Sequence, residues 1–376
     1  MKSIKVIVIF GTRPEAIKMA PLIVELEKTP QIQCIVCVTA QHREMLDQVL
    51  ELFNIVPQYD LNIMKQKQSL TGITCSVLQG LENVFEKELP DIVLVHGDTT
   101  TTFAASLAAF YRKITVGHVE AGLRTHNKFF PYPEEINRKL TGALADLHFA
   151  PTNISKENLL REGIDESRIF VTGNTVIDAM KYTIKENYVF ENCELNAIDY
   201  KNKKIILVTA HRRENWGAGI ENICNALKNV VFENKDVEVL YLVHPNPVVK
   251  DMVYNILGNL DRIHLLQPID TKEIHNLMKK CYLVMTDSGG IQEEAPHLGK
   301  PVLVLRKVTE RVEAEKAGTV RLVGTNVNEI VLEANKLLRN SEEYNQMSKS
   351  INPYGDGNAS SKIVDSLLNY FNKNRN

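Results

Sequence analysis

Nowhere in the 376 residues do 18 apolar side chains run together, so the chain offers no segment suited to crossing a bilayer as a helix. Its first residues, MKSIKVIVIFGTRPE, hold a short apolar run that Gly11, Arg13 and Pro14 interrupt, too little for the core of a signal peptide. A surplus of charge of one sign is missing too. With 44 Lys and Arg against 46 Asp and Glu, the net charge of −2 gives no reason to expect nucleic acid or an anionic membrane. Any anion site must therefore be local. Cysteine is sparse: six residues, scattered and mostly in apolar company, fit free thiols in a reducing compartment, and a cytoplasmic location is the expectation. Cys34 and Cys37 form a C-x-x-C, but inside the strand-like run QCIVCVTA and without a second pair. No metal or redox centre is expected there.

The common nucleotide and hydrolase signatures are absent as well. No G-x-G-x-x-G follows the first strand, where Gly11 stands alone, which argues against a nicotinamide-type dinucleotide. Neither G-x-x-x-x-G-K-[ST] nor H-E-x-x-H occurs, and no G-x-S-x-G elbow suggests a serine hydrolase. Tyr200-x-x-x-Lys204 has the spacing of a reductase pair but lies in a polar segment and carries no weight. His118 and Glu120, at i and i+2 on an expected strand, would point the same way; without a third ligand they read as hydrogen-bonding groups. Neither metal nor cofactor is expected.

What is present is alternation. Apolar runs of four to seven residues, IKVIVIF (4–10), CIVCVT (34–39), DIVLVH (91–96), ITVGHV (114–119) and a shorter one at Leu147 to Ala150, alternate with helical patterns such as Glu15 to Lys28, Ser69 to Glu88 and Thr99 to Tyr111. A polar segment, Glu186 to Lys204, breaks the rhythm, which resumes with IILVTA (205–210), VEVLYLV (237–243), IHLLQ (263–267), YLVMT (282–286) and PVLVL (301–305). Short apolar strands separated by helices mean parallel sheets covered on both faces. The fold expected is α/β: two Rossmann-like doubly wound domains facing across a cleft, spanning 1–186 and 204–358, with a linker at 187–203 and a C-terminal helix in 359–376.

Polar residues that packing does not require gather after the strands. They are Gly11-Thr12-Arg13-Pro14-Glu15 with Lys18 one turn on, His96-Gly97-Asp98, Gly117 to Arg124, Thr209 to Asn215, and His244-Pro245-Asn246-Pro247. A sixth, Asp287-Ser288-Gly289-Gly290, is followed by a helix expected from Ile291 to His297. Two glycines at a strand-to-helix turn let a ligand approach the backbone, and the amides of the helix's first turn then seat an anion, most simply a diphosphate. Glu293 and Glu294 follow one turn in, and one of them can face that seat and accept from sugar hydroxyls. Singly, each cluster reads as a cap or turn; together, on the strand ends of two sheets, they read as an active site.

The blocks GTRPEAIKMAPL (11–22), TAQHREML (39–46), HGDTTTT (96–102), GHVEAGLRT (117–125), PEEINR (133–138), TGNTVID (172–178), TAHRREN (209–215), HPNP (244–247), TDSGGIQEEAP (286–296) and NPYGDGNAS (352–360) resemble those of the bacterial non-hydrolysing UDP-N-acetylglucosamine 2-epimerases, in order and over nearly the whole chain. The resemblance implies a glycosyltransferase-B fold, a C-terminal helix crossing back to the N-terminal domain, and a homodimer. It implies interconversion of UDP-GlcNAc and UDP-ManNAc without a cofactor, through elimination of UDP to 2-acetamidoglucal and re-addition, supplying ManNAc for cell-surface polysaccharide. A UDP-sugar glycosyltransferase or a hydrolysing 2-epimerase on the same fold stays open, as does a non-catalytic UDP-sugar sensor.

By position, the resemblance makes Asp98, Glu120 and Glu134 the catalytic carboxylates, without saying which is base and which acid. It gives Arg13, Lys18, His211 and Arg311 to the departing diphosphate, His211 counting as catalytic with the three carboxylates, with Ser288, Gly289 and Gly290 as the helix-end seat, Glu294 on the ribose hydroxyls, and Arg138 among the substrate-binding residues. Gln41, His42 and His244 match positions tied to a second, regulatory UDP-GlcNAc. The chain departs from the pattern at Lys307-Val308 and Val312, around a retained Thr309-Glu310-Arg311. Ile274 also stands where relatives often carry a Phe near the uracil, which predicts weaker nucleotide affinity.

Overall fold

The computed structural model describes residues 3–40, 43–64, 68–309 and 311–374. Two compact units emerge, one formed by 1–182 with 354–376 and the other by 183–353. The first runs β1 (Ile4–Phe10), α1 (Arg13–Glu27), β2 (Ile32–Val38), α2 (Arg43–Phe53), β3 (Tyr59–Asp60), α3 (Leu70–Glu88), β4 (Ile92–His96), α4 (Thr100–Tyr111), β5 (Thr115–Val119), α5 (Glu134–Leu144), β6 (Leu147–Ala150), α6 (Asn153–Arg161), β7 (Ile169–Val171) and α7 (Thr175–Thr183). The second continues with α8 (Cys193–Ala197), β8 (Lys204–Thr209), α9 (Ala218–Glu233), β9 (Val237–Leu242), α10 (Pro247–Leu257), β10 (Ile263–Leu266), α11 (Thr271–Lys280), β11 (Leu283–Thr286), α12 (Gly289–His297), β12 (Val302–Val304), α13 (Val312–Lys316), β13 (Val320–Leu322), α14 (Val327–Arg339) and α15 (Ser341–Ser348). The last helix, α16 (Ala359–Asn374), returns to the first unit.

Every strand pair is parallel. The first sheet has the order β3-β2-β1-β4-β5-β6-β7 and the second β10-β9-β8-β11-β12-β13. Strands buried on both faces explain the continuous apolar runs: Val6 to Phe10 and Ile205 to Val208 are all nearly inaccessible. In each sheet the winding reverses once, between β1 and β4 and between β8 and β11. At such a reversal two adjacent loops diverge and leave a crevice at the strands' carboxyl ends. Those loops are the ones rich in unexplained polar residues.

Cys34 and Cys37 lie three apart on β2 and so face opposite sides of the sheet, each packed in a separate apolar cluster. The segment 187–203, read as a polar linker, is folded: Phe190 and Leu195 are buried, and the Glu191 amide donates to Glu273 at 2.8 Å. No helix among the described residues is long and apolar enough to cross a membrane.

Candidate active site

The first unit places a charged cluster at the β1/β4 reversal. Thr12 ends β1's loop and Thr99 caps α4, and buried Glu15 ties the two loops together. Its carboxylate accepts from the amides of Gly11 (3.0 Å) and Thr12 (2.8 Å) and from the hydroxyls of Thr12, Thr99 and Thr102. Burial raises the Glu15 pKa even so. The loops carrying Arg13 and Asp98 are thereby held to one another. Arg13 opens α1 and Lys18 follows on the same helix.

Asp98 Oδ2 accepts from Arg138 at 2.5 Å, and the Asn137 side chain donates to the Asp98 carbonyl at 3.0 Å, so α5 is pinned to the β4 loop. Burial pushes the Asp98 carboxyl above its usual range against the downward pull of Arg138, and Glu120 adds to the rise. Glu120 is held from three elements: Lys18 pairs with Oε1, Asn174 donates to Oε1 at 2.7 Å, and His96 Nε2 lies 3.4 Å from Oε2. β5 ends at Val119 and Glu120 stands beyond it at φ +62, so strand alternation does not govern the pair His118 and Glu120. Instead His118 Nε2 donates to the carbonyl of Gly97 at 2.7 Å, the residue just before Asp98. Glu134 opens α5, one turn before Arg138; its Oε2 is enclosed and has no hydrogen-bond partner among the described residues.

The second unit gathers its own cluster where β8 and β11 part. Asp287, fully buried, accepts from the amides of His211 (2.9 Å) and Arg212 (2.8 Å) and from the Asn215 side chain (3.0 Å), which sets the loop after β8. His211 Nδ1 lies 3.4 Å from Asp287 Oδ1, and its ring stacks on His244 at 5.7 Å. Burial lowers the His211 pKa, opposed by Asp287.

The helix after the glycine turn begins at Gly289 rather than Ile291. Ser288 is its N-cap residue and Gly289 and Gly290 form its first turn, whose amides have no intrahelical acceptor. Capping does not use the Ser288 side chain, and Asp287 is turned toward the β8 loop. A side chain at 290 would meet Glu294 Oε1 at 3.2 Å. Glu294 Oε2 lies 3.3 Å from Nε2 of the wholly buried His275, whose Nδ1 contacts the Thr183 hydroxyl at 2.7 Å. Arg311 forks onto the fully buried Glu293, with Nε at 2.8 Å and Nη2 at 2.7 Å from Oε1.

The structure therefore brings Lys18, Asp98, Glu120 and Arg138 together in one unit, and His211 with His244 in the other. Gln41 and His42 lie outside the described residues. Asn174, His275 and the tie between Asp287 and the His211 loop were not singled out as site residues from the sequence. Asn174 reaches Glu120 across 54 positions, Asp287 reaches the His211 amide across 76 and His275 reaches Thr183 across 92, and even Glu294 lies one helix on from His275, separations at which no local spacing signals a contact. Among the described residues no group of three or more His, Cys, Asp or Glu forms a metal-ligand set.

A family model described as UDP-N-acetylglucosamine 2-epimerase matches residues 24–368. A chain from Clostridium acetobutylicum is 70% identical over 99% of this chain and 96% of its own length. The UDP-N-acetylglucosamine 2-epimerase of Bacillus subtilis is 55% identical over 99% of this chain and 97% of its own. The crystal structure of the Neisseria meningitidis UDP-GlcNAc 2-epimerase bound to UDP-GlcNAc superposes with a TM-score of 0.89 at 51% identity, covering 97% of this chain and all of that one. Two doubly wound parallel sheets, polar clusters at both sheet reversals and full-length likeness lead to one assignment: the chain is an enzyme belonging to the UDP-N-acetylglucosamine 2-epimerase family.

Proposed function

We propose that the enzyme interconverts UDP-N-acetylglucosamine and UDP-N-acetylmannosamine by eliminating UDP across C1 and C2 and adding it back. No carbonyl neighbours C2, so its hydrogen is not acidic enough for simple exchange. Elimination avoids that problem. A base takes the C2 proton, the electron pair becomes the C1–C2 double bond of 2-acetamidoglucal, and the C1–O bond breaks to release UDP. In the return step a proton reaches C2 on the other face and the UDP oxygen rejoins C1.

Two proton-transfer groups with different environments suit this route, and the geometry that supports it best is the pair Asp98 and Glu120. One carboxylate is bound to Arg138 and the other to Lys18 and Asn174, and burial, with the charge of Glu120 added, holds the Asp98 carboxyl above its usual range. Glu134, with its enclosed, unpartnered oxygen, is the third. The diphosphate rests on the amino end of α12 at Ser288, Gly289 and Gly290, with His211 and Arg311 of the same unit supplying positive charge or donors as the leaving group develops; Arg13 is the first unit's candidate for that charge. For Arg311 this means sharing or leaving Glu293. Glu294 takes the ribose hydroxyls.

The protein acts as a homodimer, and a second UDP-GlcNAc activates it through Gln41, His42 and His244. The stacking of His244 on His211 supports that coupling, because a ligand that moved one ring would move the other. The product supplies ManNAc units to cell-surface polysaccharide.

Incubation with UDP-GlcNAc alone in heavy water, followed by proton NMR, tests the reading. Deuterium at C2 with UDP-ManNAc appearing is the expected result. Free ManNAc with UDP would mean hydrolysis. No exchange without an added acceptor would point to glycosyl transfer, and tight binding with no reaction to a sensor.

A further inference from the structure

Glu120 stands in a main-chain conformation that non-glycine residues seldom adopt, so its side-chain direction must be fixed by what surrounds it. The charged or titratable groups facing it are Lys18 on α1, His96 at the end of β4 and Asp98, itself paired with Arg138. Asn174, which also contacts Glu120, is neutral and buried, and each of its polar atoms is used. Nδ2 donates to Glu120, Oδ1 accepts from the Val176 amide at 3.1 Å, and its own amide donates to the Tyr354 carbonyl at 2.7 Å.

Tyr354 is the first residue of the segment by which the chain re-enters the first unit. At that point Gly173 (φ +93) and Gly355 (φ +115) lie back to back, and a side chain on Gly355 would meet the Gly173 Cα at 3.2 Å. A few residues on, Asp178 accepts from the amides of Ala359 (3.1 Å) and Ser360 (2.8 Å) and so anchors the start of α16. Two stretches 180 or more positions apart are thus joined, by one backbone bond at Asn174 and by the Asp178 side chain, next to the residue that holds Glu120.

We propose that Asn174 is a positioning residue for Glu120, locked by the returning segment at Tyr354 and Gly355. The inference rests on the reading of Glu120 as a proton-transfer group. Its two roles separate by atom: Oδ1 serves the local fold and Nδ2 serves Glu120. Asn174→Asp keeps shape and the acceptor for Val176, but removes the donor and sets a second carboxylate against Glu120.

In Asn174→Asp, kcat for C2 exchange falls about 10–100-fold while KM for UDP-GlcNAc stays within about twofold, because a displaced catalytic group costs rate rather than binding. The acidic limb of the pH profile moves upward, since two adjacent carboxylates do not both ionise readily; Lys18, His96, Asp98 and Arg138 are common to both proteins and cancel in the comparison. The same raised pKa lowers the melting temperature at neutral pH and lets it recover toward wild type as pH falls, whereas Asn174→Ala, which loses both atoms, lowers rate and melting temperature across the pH range. A purely structural Asn174 would move the melting temperature and leave the pH profile in place. Wild-type kcat and pH profile in Asn174→Asp, with Glu120→Gln inactive, overturns the proposal. Full activity in Glu120→Gln overturns the reading of Glu120 and the positioning role with it.

Discussion

Arg311, proposed to meet the diphosphate, also pairs with Glu293 in a way that bears on stability. The carboxylate is wholly buried on α12 and the guanidinium that neutralises it comes from just before α13. Removing one member of such a pair leaves a buried charge without its counterion. Arg311→Ala is accordingly expected to destabilise the protein by about 3–5 kcal/mol as well as weaken UDP binding. Urea unfolding of the variant checks this; wild-type stability with weak UDP binding would mean that the pair does no structural work. Buried histidines give a second expectation. Burial pushes His96 and His148 down to about 4 and His118 down to about 3. All three stay neutral in the folded protein, while an unfolded chain takes up protons near the ordinary value of 6.5. Their contribution is complete above that pH and is lost as pH falls toward 4, because the unfolded state then binds more protons. Thermal melts should drop between pH 6.5 and 4, less steeply in His148→Gln. An unchanged slope in that variant would assign the drop to other groups.

Strands and helices were legible wherever a run was long and buried on both faces. β1 and β6 have the bounds their apolar patterns indicated, and most others differ by one or two residues at an end. β3, β7 and β13 were not foreseen: they are two or three residues long and at sheet edges, too short for a period to show. Helix α12 began earlier than expected because glycine, a poor helix former, is nevertheless accommodated in a first turn where a small residue leaves the amides open. Glycine carries a different load at 355. With φ +115 and the Gly173 Cα only 3.2 Å from where a side chain would begin, Gly355→Ala should cost about 1–3 kcal/mol. Chemical denaturation measures it, and a loss below the error of the method would show that the two stretches can separate at little cost.

Chain order and spatial order part company at the C-terminus. The pattern at Ser360 to Phe371 announced a helix, but only the structure shows Ile363, Val364 and Leu367 completing the apolar cluster beneath α1. Long-range placement of this kind leaves no trace in spacing, and the same holds for Asn174 and His275. The polar residues of the site were legible for the opposite reason: no packing need explains them, so their clustering after strands stood out. Fully burying a large apolar side chain contributes about 1.5–3 kcal/mol, so three of them rival the net stability of a domain. Ending the chain after Pro353 should therefore abolish cooperative melting of the first unit. A truncated protein that melts like the full chain would contradict that packing account.

The central claim is that the C1–O bond to UDP breaks in every turnover. UDP-GlcNAc carrying ¹⁸O in the bridge between C1 and the β-phosphorus tests it directly, read by ³¹P NMR in recovered substrate. Breaking that bond frees the β-phosphate to rotate, so label should spread to the non-bridging oxygens during turnover. Label that stays wholly in the bridge while C2 epimerises would contradict elimination and leave a route in which UDP never departs.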